Sequence, residues 1–199
     1  MKRIAILLLC LMHLGASDPI KWELVKKGQG IQVYAAKVPD YPVKSIRTEL
    51  EMDAKLPQVM ATIMDVANYK TWVYHCKKST ILQKISPNEV IYHHITDAPW
   101  PVSDRDQVSH FKLTQKPDGT VLINSHTVND VMAEQAGYVR VKNAKAQWKL
   151  VPLNNGKVKA EYELFFDPAG EVPPWIINTF IANGPFESMV KLKERVKLN

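Results

Sequence analysis

Apolar and polar residues alternate along most of this chain, a pattern that is typical of β-strands with one solvent-facing side. The alternation is clearest over residues 144–150 and 158–166, which the turn sequence Asn154-Asn155-Gly156 separates. An Asn-Gly pair favours a tight hairpin turn, so these two segments should pair antiparallel. Weaker alternation predicts six further strands, over residues 31–35, 46–52, 79–85, 89–96, 107–115 and 120–128.

Two stretches instead show the three-to-four-residue spacing of amphipathic helices. The first predicts a short helix over residues 56–66, and the second predicts a long C-terminal helix over residues 175–197. Pro185 removes one helical hydrogen bond from the long helix, so we expect a kink there. Antiparallel strands joined by short turns, followed by one long helix, indicate an α+β domain whose helix lies across one face of the sheet.

The first residues of the chain follow a different pattern. Lys2 and Arg3 precede an apolar run over residues 4–14 that contains one histidine, and the small residues Gly15 and Ser17 follow it. This order of segments is that of a secretory signal peptide, and the run is shorter than the roughly 20 residues of a membrane span. We therefore expect a signal peptide over residues 1–17, a mature domain over residues 18–199, and a periplasmic or secreted protein.

Composition indicates one folded domain. The chain has 199 residues of which 46% are hydrophobic, enough for a sizeable core. Loss of Lys2 and Arg3 with the signal peptide lowers the net charge from +6 to +4 and leaves Cys76 as the single cysteine, so no internal disulfide can form. The basic residues are scattered rather than grouped with aromatic ones, which does not favour binding to nucleic acid.

The chain lacks the short motifs of the common hydrolases, zinc enzymes and phosphate-binding loops, so the residues predict no catalytic site. His93, His94 and Asp97 are the best metal candidates. Adjacent residues on a strand point to opposite faces, however, and the two imidazoles cannot easily bind one ion. We expect no metal and no cofactor, with one of the two histidines facing inward and the other facing water.

Residues 98–106, with the sequence Ala-Pro-Trp-Pro-Val-Ser-Asp-Arg-Asp, form a proline-stiffened loop that ends in a polar turn. This segment resembles the signature of START domains, the lipid-transfer modules related to steroidogenic acute regulatory protein. Further segments resemble the same family in the same order, from Trp22 to about Val196: Trp22, 30–34, 68–72, 148–152, 162–170, 173–175 and Asn178.

The resemblance implies the helix-grip fold, in which a curved antiparallel sheet wraps around the long C-terminal helix and leaves a cavity between them. It implies a lipid-binding or lipid-transfer protein that holds one hydrophobic ligand, such as a phospholipid, a fatty acid or a sterol-like molecule, and that is not an enzyme. We expect a monomer that contacts a membrane surface transiently. Two alternatives stay open: a polyketide cyclase or aromatase-like enzyme of the same superfamily, and a ligand-sensing module without transfer activity.

The expected cavity residues come from the strand alternation, the apolar stripe of the helix and the signature loop. At one position where family members can carry Arg this chain has Phe111, so a polar contact would have to come from His94, His110 or His126. Arg105, between Asp104 and Asp106, is expected to lock its loop by an ion pair. The predicted lining is Tyr92, His94, Trp100, Phe111, His126, Trp148, Leu150, Tyr162, Leu164, Phe166, Ile177, Ile181 and Met189.

The signal pattern predicts that the exported protein begins at or near Asp18, because signal cleavage follows small residues such as Gly15 and Ser17. N-terminal sequencing of protein recovered from the periplasm of a bacterial host measures this directly. A product that retains Met1 and stays in the cytoplasm would contradict the predicted export.

Overall fold

The computed structural model describes residues 20–197, so the predicted signal peptide over residues 1–17 lies outside the described part of the chain. Ten strands, two α-helices and one 3₁₀ helix follow one another along it. In chain order they are β1 (Glu23–Gly28), β2 (Ile31–Ala36), β3 (Ser45–Met52), α1 (Leu56–Met64), the 3₁₀ helix (Val66–Thr71), β4 (Cys76–Ser86), β5 (Glu89–Thr96), β6 (Arg105–Gln115), β7 (Val121–Thr127), β8 (Val139–Arg140), β9 (Ala144–Pro152), β10 (Val158–Phe166) and α2 (Pro174–Arg195).

Nine of the strands form one continuous sheet in the order β1-β2-β3-β10-β9-β7-β6-β5-β4, and β8 pairs in parallel with β6. Every neighbour along the nine-strand path is antiparallel. The sheet is long, curved and open, with β1 and β4 at its two edges. The predicted α+β architecture, with a curved antiparallel sheet and a long C-terminal helix, is confirmed.

Two of the ten strands were absent from the prediction. β1 carries two apolar residues, Leu24 and Val25, followed by two lysines, so it does not alternate. The pairing of β1 with β2 shifts register between Leu24 and Lys26, which is a β-bulge that accommodates the broken pattern. β8 has only two residues, too few for any period to show.

The two helices cover different parts of the inner face of the sheet. α1 buries Val59 and Ile63 and contacts β9, and the 3₁₀ helix that follows it contacts β4. α2 packs against β1, β2 and β3. Over residues 20–197 no helix is both long and apolar enough to cross a membrane.

The middle of α2 lies close to the chain that follows the 3₁₀ helix. The Ser188 hydroxyl donates to the Gly184 carbonyl at 2.8 Å and accepts from the backbone N–H of Tyr74 at 2.9 Å. A Cβ at Gly184 would lie 3.2 Å from the Tyr74 ring, so glycine permits this close approach. The helix is unbroken through Pro185, and the kink expected there stays a prediction.

A buried charged network on the outer side of β5 and β6 fixes the segment over residues 129–137. The Arg140 guanidinium donates to both carboxylate oxygens of Asp106 at 3.0 and 2.8 Å, and His93 Nε2 lies 2.9 Å from Asp106 Oδ2. Arg140 also donates to the carbonyls of Met132 and Ala133. Burial disfavours the Asp106 carboxylate, but the bonds from Arg140 and His93 outweigh it and hold the pKa of Asp106 below its usual range.

Two sequence predictions about these residues are wrong. His93 does not face water, because it is 5% exposed and bonds to Asp106. Arg105 forms no ion pair with Asp104 or Asp106. Its guanidinium instead donates to the backbone carbonyls of Ser103, Pro168 and Ala169, so it joins the signature loop to the segment before α2.

Replacing Asp106 by Ala should lower the free energy of unfolding by about 3–5 kcal/mol, because it leaves Arg140 buried without its counter-charge. Glu134→Ala is the matched control. Glu134 lies on the segment over residues 129–137 and pairs with Lys142, and both side chains are 60% exposed. An exposed pair of this kind contributes about 1 kcal/mol or less. Urea unfolding curves of the two variants measure the difference, and equal losses would contradict the role given to the buried network.

Candidate ligand-binding cavity

A cavity of about 300 Å³ lies between α2 and the inner face of the sheet. Strands β5, β6, β7, β9 and β10 contribute side chains to one wall, and α2 contributes the opposite wall from Ile176 to Met189. Ala98 and Val102 of the signature loop close one side. Ligand sites in proteins run from about 300 to 1,000 Å³, so this cavity is at the compact end of that range.

Aromatic rings form a connected wall around the cavity. The Trp72 ring lies 5.0 Å from the Tyr69 ring and 6.5 Å from the Trp148 ring, measured between centroids. The Trp148 ring in turn lies 4.6 Å from Tyr162, and Tyr69 lies 5.6 Å from Tyr92. These spacings are those of packed aromatic pairs, which supply a large apolar surface with few rotatable bonds.

His94 is the titratable imidazole of the lining. Its ring stacks on Tyr92 with a centroid distance of 5.7 Å and an interplanar angle of 21°. Its Nδ1 is buried, and its ring makes no hydrogen bond to the described residues. Burial, with a smaller contribution from the neighbouring His93 and against an opposing effect of Asp106, lowers the pKa of His94 to about 4. The ring is therefore neutral at neutral pH.

The other polar groups near His94 are hydroxyls. Burial raises the pKa of Tyr92 and of Tyr162, so both phenols stay protonated. The side chains of Ser109 and Ser125 lie beside the Tyr92 hydroxyl. This corner of the cavity, formed by His94, Tyr92, Tyr162 and Ser125, is polar but uncharged, and we call it the neutral polar corner.

Two cationic residues line the cavity, but their charges are engaged elsewhere. Lys145 is exposed, and its ammonium lies over the rings of Phe165 and Tyr41 at 5.0 and 5.6 Å. Arg105 donates to three backbone carbonyls, as described above. The described lining contains no Asp or Glu. In the part of the chain that the structure covers, no three His, Cys, Asp or Glu side chains are grouped so that they could hold a metal ion.

Nine of the thirteen predicted cavity residues lie on this cavity, and their role in ligand binding stays a prediction. They come from β5, β6, β9, β10 and α2, as the strand alternation and the helix stripe indicate. They are Tyr92, His94, Phe111, Trp148, Tyr162, Leu164, Phe166, Ile177 and Met189.

The signature loop and β7 present different side chains from those predicted. Trp100 is 90% exposed, because the loop turns tightly through a bond from Val102 N–H to the Pro99 carbonyl and directs the indole outward. His126 is also exposed, and its ring packs on His110 on the outer face at 5.0 Å. Because side chains alternate along β7, Ser125 takes the inward position instead.

Leu150 and Ile181 are buried but lie in the solid core rather than on the cavity. α1 contacts β9, the strand that carries Leu150, and fills space over this strand. Leu150 lies beyond the end of the cavity along β9, where Trp148 is the last lining residue. Ile181 lies between the lining residues Phe180 and Gly184 of α2 and is buried in the core cluster beside the cavity.

Several lining residues were not predicted. Tyr69 and Trp72 enter from the 3₁₀ helix and the residue after it. Their spacing of three residues and their place in the family-like segment 68–72 are the sequence signals that relate them. Phe180 enters from α2 and packs on Tyr74 at 5.4 Å. Ser125 shares a face with Val121 and Ile123, so continuing the alternation of β7 would have identified it.

An open curved antiparallel sheet, a long C-terminal helix against it and an apolar cavity between them define a ligand-binding domain of the helix-grip class. A model of the START domain family matches residues 8–199 of this chain. The chain belongs to the START domain family.

Relatives of this chain include proteins named for lipid transfer. The phosphatidylcholine transfer protein of Bos taurus is 27% identical over 187 residues, which is 88% of this chain and 85% of the bovine protein. The crystal structure of a STAR-related lipid transfer protein from Xanthomonas axonopodis matches with a TM-score of 0.81 at 30% identity, over 88% of this chain and 98% of that one. Human StAR-related lipid transfer protein 5 shares the fold, with a TM-score of 0.77 at 21% identity over 89% of this chain and 86% of that one.

The lowered pKa of His94 predicts a loss of stability in acid. The unfolded chain binds a proton at this residue near pH 6.5, and the folded chain binds it near pH 4. Between these values the unfolded state binds more protons, so the free energy of unfolding falls as the pH falls. His94→Gln should remove about 2–3 kcal/mol of the difference between pH 7 and pH 4.5 in urea unfolding. An NMR titration of the His94 ring with a midpoint near 6.5 would contradict this.

Proposed function

We propose that this protein is an exported carrier that binds one hydrophobic molecule, a lipid or sterol-like compound, in the cavity between sheet and helix and transfers it between membranes. The observation that carries the proposal is the apolar, aromatic-walled cavity of about 300 Å³ in a domain of the START family. The names of the bovine and Xanthomonas relatives support lipid transfer as the activity.

The energetics favour a carrier without fuel or catalytic chemistry. Moving an acyl chain from a bilayer into water costs about 0.8 kcal/mol per methylene, or about 12 kcal/mol for sixteen carbons. Moving the same chain from a bilayer into an apolar cavity costs far less, because both surroundings are apolar. A protein that encloses the chain therefore lowers the barrier to crossing the aqueous phase.

Binding is proposed rather than catalysis because the cavity offers few groups that could exchange protons near neutral pH. An effective general acid or base has a pKa near the working pH. Burial holds the pKa of His94 at about 4 and raises the pKa values of Tyr92 and Tyr162, which moves all three away from neutrality.

The proposed membrane contact uses the exposed indoles beside the cavity. Trp100 is 90% exposed and lies between the lining residues Ala98 and Val102, and Trp175 is 59% exposed and precedes the lining residue Ile176. Tryptophan is suited to the interface between lipid and water. Basic residues near the end of α2 would add attraction to anionic head groups, and the predicted signal peptide would place the carrier outside the cytoplasm.

Two neighbouring substitutions on β9 test whether the cavity carries the activity. Ala146 lines the cavity, whereas Gln147 points to the opposite, exposed face. Ala146→Trp should fill the cavity and lower the rate at which a fluorescent lipid moves between vesicles by about ten-fold or more, at an overpacking cost of about 1–3 kcal/mol in stability. Gln147→Trp adds the same side chain outside and should leave the transfer rate unchanged.

Melting curves of both variants establish that each is folded at the assay temperature. If folded Ala146→Trp protein transfers lipid as fast as the unsubstituted protein, the cavity is not the carrier site. If the unsubstituted protein transfers no lipid above the spontaneous rate, the transfer activity itself is wrong.

A further inference from the structure

The cavity wall contains hydrogen-bonding groups that the protein does not satisfy. His94 Nδ1 and Trp72 Nε1 are both buried without a hydrogen-bond partner among the described residues, and His94 is the one that belongs to the neutral polar corner. The His94 ring stacks on Tyr92, whose hydroxyl lies beside Ser109 and Ser125. Buried polar groups in proteins are nearly always hydrogen-bonded, so groups of this kind in a binding cavity point to a bond made by the ligand.

We infer that the cavity selects a lipid whose polar group is uncharged, a hydroxyl or a carbonyl, over lipids with a phosphate or a carboxylate, and that His94 binds this group. The inference rests on the proposed function and narrows its ligand class. A neutral imidazole has one N–H donor and one nitrogen acceptor, and a phenol can both donate and accept. A ligand hydroxyl also does both, so it can satisfy either group.

An anionic head group would find no counter-charge in this corner. His94, Tyr92, Tyr162 and Ser125 are all neutral at neutral pH. Burying an ionised group away from water is costly unless a cation or several donors compensate it. Lys145 is exposed with its ammonium over aromatic rings, and Arg105 donates to three backbone carbonyls at the edge of the cavity. The placement of these charges therefore favours a neutral ligand.

Lipids that share one chain and differ only in the head group test the selection. Oleyl alcohol, oleic acid and oleyl phosphate, with 1-octadecene as the apolar reference, are used to displace Nile red from the delipidated full protein at pH 8. We expect oleyl alcohol to displace the dye at a concentration about ten-fold or more below that of the acid and the phosphate. A ten-fold difference corresponds to about 1.4 kcal/mol, which is small beside the cost of burying an ionised head group without a counter-charge.

Variants at His94 test the assignment of the residue. His94→Phe keeps a planar ring of similar size and removes both nitrogens. It should therefore weaken the binding of oleyl alcohol by about ten-fold and leave the binding of 1-octadecene unchanged. His94→Gln retains a donor and an acceptor and should keep most of the preference for the alcohol. The matched control is His126→Phe, the same substitution on the outer face of the sheet. It should change the binding of neither oleyl alcohol nor 1-octadecene.

The outcomes separate this inference from the proposed function. Equal or tighter binding of the acid or the phosphate would overturn the inference, point to Arg105 as the polar contact, and leave the carrier function standing. An alcohol preference that survives His94→Phe would overturn the role of His94. Failure of all four compounds, including 1-octadecene, to displace the dye would overturn the proposed function and the inference with it.

Discussion

One helix cannot cover one face of a nine-strand sheet, and the cavity follows from that constraint. At about 1.5 Å per residue α2 is about 33 Å long but only about 10 Å wide, whereas nine strands spaced by about 4.8 Å extend over about 38 Å. α2 rests on β1, β2 and β3 at one side of the sheet. The inner face of the other strands is covered by α1, the 3₁₀ helix, the signature loop and the part of α2 from Ile176 to Met189, which enclose an apolar space instead of filling it.

Apart from Arg105 at the start of β6, strands β5 and β6 carry their charges on the outer face and apolar or neutral polar side chains on the inner face. On β5, His93 bonds to Asp106 outside while its neighbour His94 faces the cavity. On the outer face, Arg140 neutralises the Asp106 carboxylate and fixes the segment over residues 129–137. The charged side chains that stabilise this part of the sheet are therefore paired with one another on its outer face, away from the cavity. Polar groups on the inner face can stay neutral, and a hydrophobic ligand can enter without displacing an ion pair.

The sequence predicted most of the fold because the strands have one buried and one exposed side, and alternation records that difference directly. It failed where the pattern is broken or too short, as at the bulge after Leu24 in β1. For the site, periodicity identifies buried positions but not which of them border the cavity, so Leu150 and Ile181 lie in the core beside it. The chemistry of His126 favours a ligand contact, but the alternation of β7 places Ser125 inward and His126 outward. No local pattern relates Arg140 to Asp106, because 34 residues separate them in the chain.

Native mass spectrometry of the protein purified from its own host, followed by solvent extraction, measures whether the domain encloses one hydrophobic molecule. We expect a single bound species at a ratio of one molecule per chain, which extraction releases as a lipid or sterol-like compound. A protein that carries no such molecule and binds none when mixed with lipid vesicles, or that releases a non-lipid aromatic product instead, would not be a carrier of this kind.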